Sequence, residues 1–96
     1  MWRIFGQALV YHAAGKRRES DAALGRLIKA YSSVASYQVA TVCAYRNEAG
    51  RAFEWLDRSY EVRDAGITQL IGDPLMKNVE KDPRYNAFLR KVKLID

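Results

Sequence analysis

The chain has 96 residues, a single cysteine and a net charge of +5. This length suits one domain, the hydrophobic fraction of 49% argues against a disordered chain, and one cysteine excludes an internal disulfide. Only two prolines and six glycines interrupt the chain, and no segment alternates strictly between apolar and polar residues. The composition therefore predicts an all-α protein.

The order of residues in the N-terminal stretch argues against a secretion signal. Residues 1–15 are largely apolar, but Gln7 and His12 interrupt them, and the basic triplet Lys16–Arg18 follows the apolar part instead of preceding it. A signal peptide has the opposite order. No apolar run reaches the roughly 18 residues that a membrane-spanning helix needs. We therefore expect no membrane partner and a cytoplasmic location.

Helical spacing of apolar residues predicts the first two helices. The first should span Trp2 to Ala14 and end at Gly15, because glycine enters the left-handed cap conformation without strain. The basic triplet should then lie near its C-terminus. The second helix should run from Glu19 to Tyr31. A close crossing of two helices is expected at the glycine inside it, Gly25.

The next two helices meet at a short polar break. The third should run from Val34 to Arg46, and it is apolar on nearly every side, which is typical of a helix buried between neighbours. Asn47 should end it in the left-handed conformation. The fourth should run from Ala49 to Arg63. Its inward residues should be Ala52, Phe53, Leu56 and Tyr60.

The last third of the chain predicts short helices. A single turn is expected over Ile67 to Ile71. The dipeptides Asp73-Pro74 and Asp82-Pro83 each place a capping carboxylate before a first-turn proline, which is a favourable helix start. We therefore expect one short helix and one final helix to begin at these two points.

The two halves of the chain agree when one is shifted by 32 residues. The paired positions share a character, either small, helix-ending or large and apolar: Ala8 with Ala40, Gly15 with Asn47, Ser20 with Ala52, and Leu24 with Leu56. A period between 20 and 50 residues indicates stacked structural repeats. Small residues would let the two helices of each unit approach, and stacking would bury what one unit leaves open.

The segment AYRNEAGRAFEWLDRSY resembles the tetratricopeptide repeat (TPR) family. The residues that carry the resemblance are the helix break at Asn47, then Ala49, Ala52, Phe53, Leu56 and Tyr60. The last third is similar to the helical tail of bacterial multi-domain proteins of this kind. The resemblance implies two helix hairpins, residues 1–31 and 33–63, forming a right-handed solenoid that helices within residues 64–96 cap.

The family resemblance also implies a binding surface on the concave side, lined by the first helix of each hairpin. In this chain the corresponding residues are Trp2, Phe5, Leu9, His12, Tyr37, Thr41 and Tyr45. This face is aromatic and nearly uncharged, so it suits a hydrophobic or aromatic-anchored peptide or protein. Clamping a partner's terminal carboxylate would require cations that these positions lack. We expect a non-enzymatic interaction module.

The first helix also predicts an association surface. Trp2, Phe5 and Leu9 have no preceding repeat in this chain to cover them. A bare apolar end is unfavourable for a stacked-repeat protein. We therefore expect a homodimer, or a contact with another protein, through this helix.

Two alternatives remain open. The cations Lys16, Arg17 and Arg18 could bind phosphate or an acidic partner, and an accessory domain that contacts nucleic acid is the second functional hypothesis. No nucleic-acid motif accompanies these charges, so solvated side chains near helix ends are the preferred interpretation. The chain could also be a shortened remnant of a larger signalling or regulatory protein.

Catalysis is not expected. Cys43 lies on the helix predicted to be buried, and His12 has no nearby partner for acid–base work. One cysteine and one histidine cannot make the usual zinc ligand set. The sequence predicts neither a metal nor a cofactor.

Overall fold

A computed structural model describes residues 1–31 and 33–92, and this part of the chain is helical with no strand. The prediction of an all-α protein is confirmed. The five α-helices are α1 (Trp2–Ala13), α2 (Arg17–Tyr31), α3 (Ser36–Tyr45), α4 (Ala49–Glu61) and α5 (Pro83–Lys91). Two 3₁₀ helices, Ala65–Gln69 and Pro74–Val79, precede α5. The predicted capping region ends with residues 93–96, which lie outside the described part.

The helix ends follow the predicted capping chemistry. Gly15 and Asn47 both adopt the left-handed conformation, with φ of +75° and +62°. The Asp73 carboxylate accepts a hydrogen bond from the backbone N–H of Leu75 at 3.0 Å, and Asp82 accepts one from Arg84 at 2.9 Å. Each carboxylate therefore satisfies a donor that the start of its helix leaves unpaired.

Helix α3 is the centre of the fold. It contacts α1, α2, α4 and both 3₁₀ helices. Eight of its ten residues are buried, from Ser36 and Tyr37 to Cys43 and Ala44. The prediction of a buried third helix is confirmed, because its apolar residues cover every side and each side has a neighbour. Within the hairpins, α1 packs on α2 and α4 packs on α3.

Residues 64–82, which we call the bridging segment, run along α3 from its N-terminus to its C-terminus. Asp64 caps the start of α3 by accepting a hydrogen bond from the Tyr37 N–H at 3.0 Å. At the other end, the Asn78 side-chain amide donates to the carbonyls of Ala44 and Tyr45 at 3.3 and 3.1 Å. The segment also adds apolar side chains to the core: Ile67, Leu70, Met76 and Val79.

Three local expectations are wrong. Tyr60, which was expected to face inward on α4, is 43% exposed. Gly25 is exposed, and a Cβ added there would meet no atom within 4 Å, so no helix crosses at this glycine. The second helix begins at Arg17 and not at Glu19, so only Lys16 of the basic triplet lies in the break after α1. Arginine favours a helix, so α2 extends backwards past Glu19 and its first turn holds cations despite the unfavourable helix dipole.

Candidate functional site

Four of the predicted concave-face residues line one groove, which we call the α1–α3 groove. Its volume is about 200 Å³. Two helices and the bridging segment contribute its walls: Trp2, Phe5, Tyr37, Gln38, Thr41, Gln69, Asp73 and Leu75. The structure thus brings together the first turns of α1 and α3, as the predicted face required, and adds side chains from the bridging segment that the sequence did not indicate.

The outer wall of the groove is aromatic. Trp2 is 63% exposed, and its ring meets that of Phe5 edge-on, with the centroids 5.6 Å apart. Edge-to-face packing of this kind is a favourable aromatic arrangement. Phe5 itself is half-buried against the core. The pair therefore presents apolar surface that is held in place from one side and open on the other.

The floor of the groove is formed by Tyr37 and Thr41. Both were expected to be exposed contacts for a partner, but the structure buries them. They are only 2% and 1% exposed. The Tyr37 hydroxyl donates to Asp73 at 2.6 Å, and the Thr41 hydroxyl donates to the carbonyl of Gln38 at 2.7 Å. The reason is the bridging segment, which covers this side of α3. Burial, together with the Asp73 hydrogen bond, raises the pKa of Tyr37 above its ordinary value.

The remaining predicted residues lie elsewhere along α1. Leu9 is half-buried and packs on the core. His12 and Tyr45 contact one another edge-on, with ring centroids 5.5 Å apart, and His12 borders a separate cleft of about 200 Å³ with Gly15, Arg17, Arg46 and Glu48. The two ends of α1 therefore carry different surfaces, and the predicted residues are not gathered at a single groove.

Arg46, which the sequence did not indicate as a functional residue, links three helices. Its side chain is 5% exposed, it pairs with Asp21 of α2, and its Nε lies 3.3 Å from Glu48. Its Nη1 also donates to the Ser20 hydroxyl at 3.4 Å, and that hydroxyl donates to the carbonyl of Ala8 on α1 at 2.9 Å. The ion pair with Glu48 could have been predicted from the sequence, because the two residues are close along the chain. The ion pair with Asp21 could not, because Asp21 is 25 residues away.

The basic triplet does not form an unbroken cationic surface. Lys16, Arg17 and Arg18 are all exposed. The Arg17 Nε lies 4.0 Å from the Asp21 carboxylate, which also pairs with Arg46. Carboxylates are thus interspersed with the cations, which weakens the attraction for a phosphate backbone.

A second groove lies between α4 and α5, with a volume of about 280 Å³. Its charged groups already have partners. Lys91 pairs with Asp57 at 3.0 Å, and the Arg84 guanidinium stacks over Phe53 at 5.0 Å while it pairs with Asp82 at 2.8 Å. These internal contacts make it a less favourable docking site than the α1–α3 groove.

Cys43, the candidate nucleophile, does not lie in a reactive environment. Cys43 is fully buried, and this burial raises the pKa of its thiol to about 11. The thiol is therefore protonated near neutral pH, whereas a reactive cysteine needs the thiolate and access. Across residues 1–31 and 33–92, no three side chains of histidine, cysteine, aspartate or glutamate are grouped so that they could hold a metal ion.

None of the helices in the described ranges is both long enough and apolar enough to span a bilayer. Comparison of the chain with protein-family models, curated proteins and solved structures gives no match.

Proposed function

We propose that the chain is a non-enzymatic protein-interaction module of the TPR type. It binds an apolar or aromatic side chain of a partner protein in the α1–α3 groove. The observation that carries this proposal is the contact of the exposed Trp2 with the half-buried Phe5, beside a floor of buried Tyr37 and Thr41. The packing of α1 on α2 and of α3 on α4 supports the repeat assignment, and a single buried thiol is compatible with a cytoplasmic protein.

The groove has the properties of a pre-organised anchor site. Tyr37 is held at both its hydroxyl and its backbone N–H, so the floor does not need to be ordered on binding. Trp2 supplies a large, rigid apolar surface, and such residues dominate binding energies at protein interfaces. Gln38 and Gln69 lie at the same groove, and their amides can both donate to and accept from a partner backbone.

Selection from a library of displayed random peptides, with the native chain as bait, tests this proposal. We expect enrichment of peptides that contain an aromatic or large aliphatic residue without a requirement for acidic residues. A selected peptide should bind at least about tenfold more weakly to Trp2→Ala and Phe5→Ala, as expected for anchor residues worth about 1.4 kcal/mol or more. Val62→Ala, which changes an exposed residue directly after α4, should bind normally.

An oligonucleotide titration tests the nucleic-acid alternative. A single-stranded and a duplex oligonucleotide are titrated at physiological salt against the native chain and a Lys16→Ala/Arg17→Ala/Arg18→Ala variant. Tight oligonucleotide binding that the triple variant loses would replace the proposed function. Peptide binding that is unchanged in both Trp2→Ala and Phe5→Ala would also refute it.

A further inference from the structure

The α1–α3 groove contains a single charged group, the carboxylate of Asp73. The other residues that line it are aromatic, aliphatic or uncharged and polar. The neighbouring sequence is also acidic, since residues 64–76 contain Asp64 and Asp73 but no lysine or arginine. Arg3, which follows Trp2 in α1, is exposed but does not line the groove. A chain with a net charge of +5 therefore has a groove whose own charge is negative.

Asp73 has acceptor capacity that its partners within the chain do not use. Its Oδ1 accepts the N–H of Leu75 at 3.0 Å, and its Oδ2 accepts the Tyr37 hydroxyl at 2.6 Å. An ionised carboxylate offers about four lone-pair sites. Asp73 is half-buried, and no lysine or arginine within residues 1–31 and 33–92 forms an ion pair with it. A partly desolvated charge attracts an opposite charge more strongly than one in open solvent.

The second Asp-Pro cap shows what such a carboxylate binds within the same chain. Asp82, like Asp73, precedes a proline and caps a helix by accepting the N–H two residues ahead. Asp82 also accepts two hydrogen bonds from the Arg84 guanidinium, at 3.1 and 2.8 Å. The same guanidinium lies over the Phe53 ring, 5.0 Å from its centroid. An aspartate cap and an aromatic ring thus hold an arginine between them.

The α1–α3 groove has the carboxylate and the aromatic rings of that arrangement without its arginine. Two residues after the Asp73 cap, at the position that corresponds to Arg84, the chain has Leu75. The rings are supplied by α1: Trp2 lines the groove and is 63% exposed, and Phe5 is in contact with it. Tryptophan is the side chain over which cations bind best. The vacant partner of Asp73 can therefore come from another molecule.

A guanidinium suits the groove better than an ammonium group or an anion. It is planar, stacks on aromatic faces and carries five donors in a fixed fork. Gln38 and Gln69 also line the groove, and their amide oxygens can accept the donors that Asp73 does not bind. The methylene part of an arginine packs on apolar surface, which the α1 rings provide. An anionic partner would face the Asp73 carboxylate and meet no cation among the residues that line the groove.

From these observations we infer that the α1–α3 groove binds an arginine side chain of the partner, with its guanidinium paired to Asp73 and stacked on Trp2. The inference rests on the proposed function and makes it more specific, because the partner segment then carries an arginine next to its apolar or aromatic anchor. The anchor supplies contact area against the Trp2–Phe5 pair. The arginine supplies specificity, since charge complementarity selects among partners more than it adds affinity.

Titration with two small probes, followed by ¹H–¹⁵N NMR, tests the arginine site directly. Nα-acetyl-arginine amide carries the guanidinium, whereas Nα-acetyl-citrulline amide has nearly the same shape and no charge. The indole N–H of Trp2 reports on the groove, and that of Trp55, a buried residue of α4, serves as the internal reference. We expect the arginine probe to bind the native chain at least about tenfold more tightly than the citrulline probe, because hydrogen bonds between two charged groups are the strong ones.

Two matched variants assign the preference to one carboxylate. Asp73→Asn removes the charge but keeps a capping side chain, so the fold should persist, which circular dichroism checks. On this variant the two probes should bind within about twofold of one another, because the charge-assisted contact is gone. Asp82→Asn neutralises the other Asp-Pro cap, which does not line the groove, and it should retain the full preference for the arginine probe. The comparison of the two probes on the native chain requires no variant.

The outcomes separate the arginine site from the proposed function. Absence of a saturable shift of the Trp2 indole with the arginine probe would overturn the inference, as would equal affinities of both probes for the native chain or an unchanged preference in Asp73→Asn. Displayed peptides that require Trp2 and Phe5 but show no excess of arginine over the unselected library would overturn the inference and leave the proposed function intact. Peptide binding that is independent of Trp2 and Phe5, with the arginine probe still dependent on Asp73, would refute the proposed function alone.

Discussion

The contact between Gly66 and Tyr37 offers a sharp test of how the bridging segment is held. Gly66 lies in the first 3₁₀ helix, and a Cβ added to it would be 2.8 Å from Tyr37 Cδ2, 2.9 Å from its Cβ and 3.0 Å from its Cγ. Rotation of the side chain cannot relieve the contact with the Tyr37 Cβ, because that atom is fixed to the backbone. Tyr37 is also held by two hydrogen bonds: its hydroxyl donates to Asp73, and its backbone N–H donates to Asp64.

Gly66→Ala should therefore destabilise the protein by about 2–3 kcal/mol. Overpacking of a well-packed core costs about 1–3 kcal/mol, and the fixed position of the Tyr37 Cβ places this change in the upper part of that range. For a domain of this size, 1 kcal/mol lowers the unfolding temperature by about 4–8 °C. A decrease of roughly 10 °C or more is expected.

Urea denaturation followed by far-UV circular dichroism measures the free energy of unfolding of each variant. Gly25→Ala is the matched control, because Gly25 lies within α2 and its added Cβ would meet nothing within 4 Å. This control should be stabilised by about 0.5–1 kcal/mol through the better helix propensity of alanine. A Gly66→Ala protein as stable as the native chain would refute the reasoning.

Two further predictions concern the buried polar groups. Arg46→Ala should lower the free energy of unfolding by about 2–4 kcal/mol, because it removes the countercharge of Glu48 and Asp21. Arg58→Ala removes an exposed ion pair with Glu54 and a cation–π contact with Trp55 at 4.5 Å, and it should cost about 1 kcal/mol; losses equal to that of Arg46→Ala in urea denaturation would contradict this. Burial and the Asp73 hydrogen bond raise the pKa of Tyr37, whereas an unfolded tyrosine ionises near pH 10. The stability that the Tyr37 hydroxyl contributes is thus present below about pH 10 and is lost as the pH rises further. Tyr37→Phe should therefore lose less of its free energy of unfolding between about pH 9 and 11 than the native chain does. Parallel declines would refute this.

The helical character and the helix ends were predictable because they depend on residues that are close in sequence. Continuous apolar character identified α3 as a buried helix, and the structure buries eight of its ten residues. Gly15 and Asn47 adopt the left-handed cap because of their own backbone preferences. Asp73 and Asp82 cap helices whose first N–H groups lie two residues ahead. Each of these capping interactions joins residues that lie close together in the sequence.

The surfaces of the helices were decided only by tertiary packing. The sequence alone indicated Tyr37 as an exposed ligand contact, but the bridging segment covers it through Asp73, 36 residues away. Arg46 finds Asp21 at a separation of 25 residues. Helical periodicity specifies which residues share a face, but it cannot specify which distant segment covers that face. That choice depends on the competition among all segments for the same apolar surface, and among the described residues it left Trp2 and Val10 of α1 exposed.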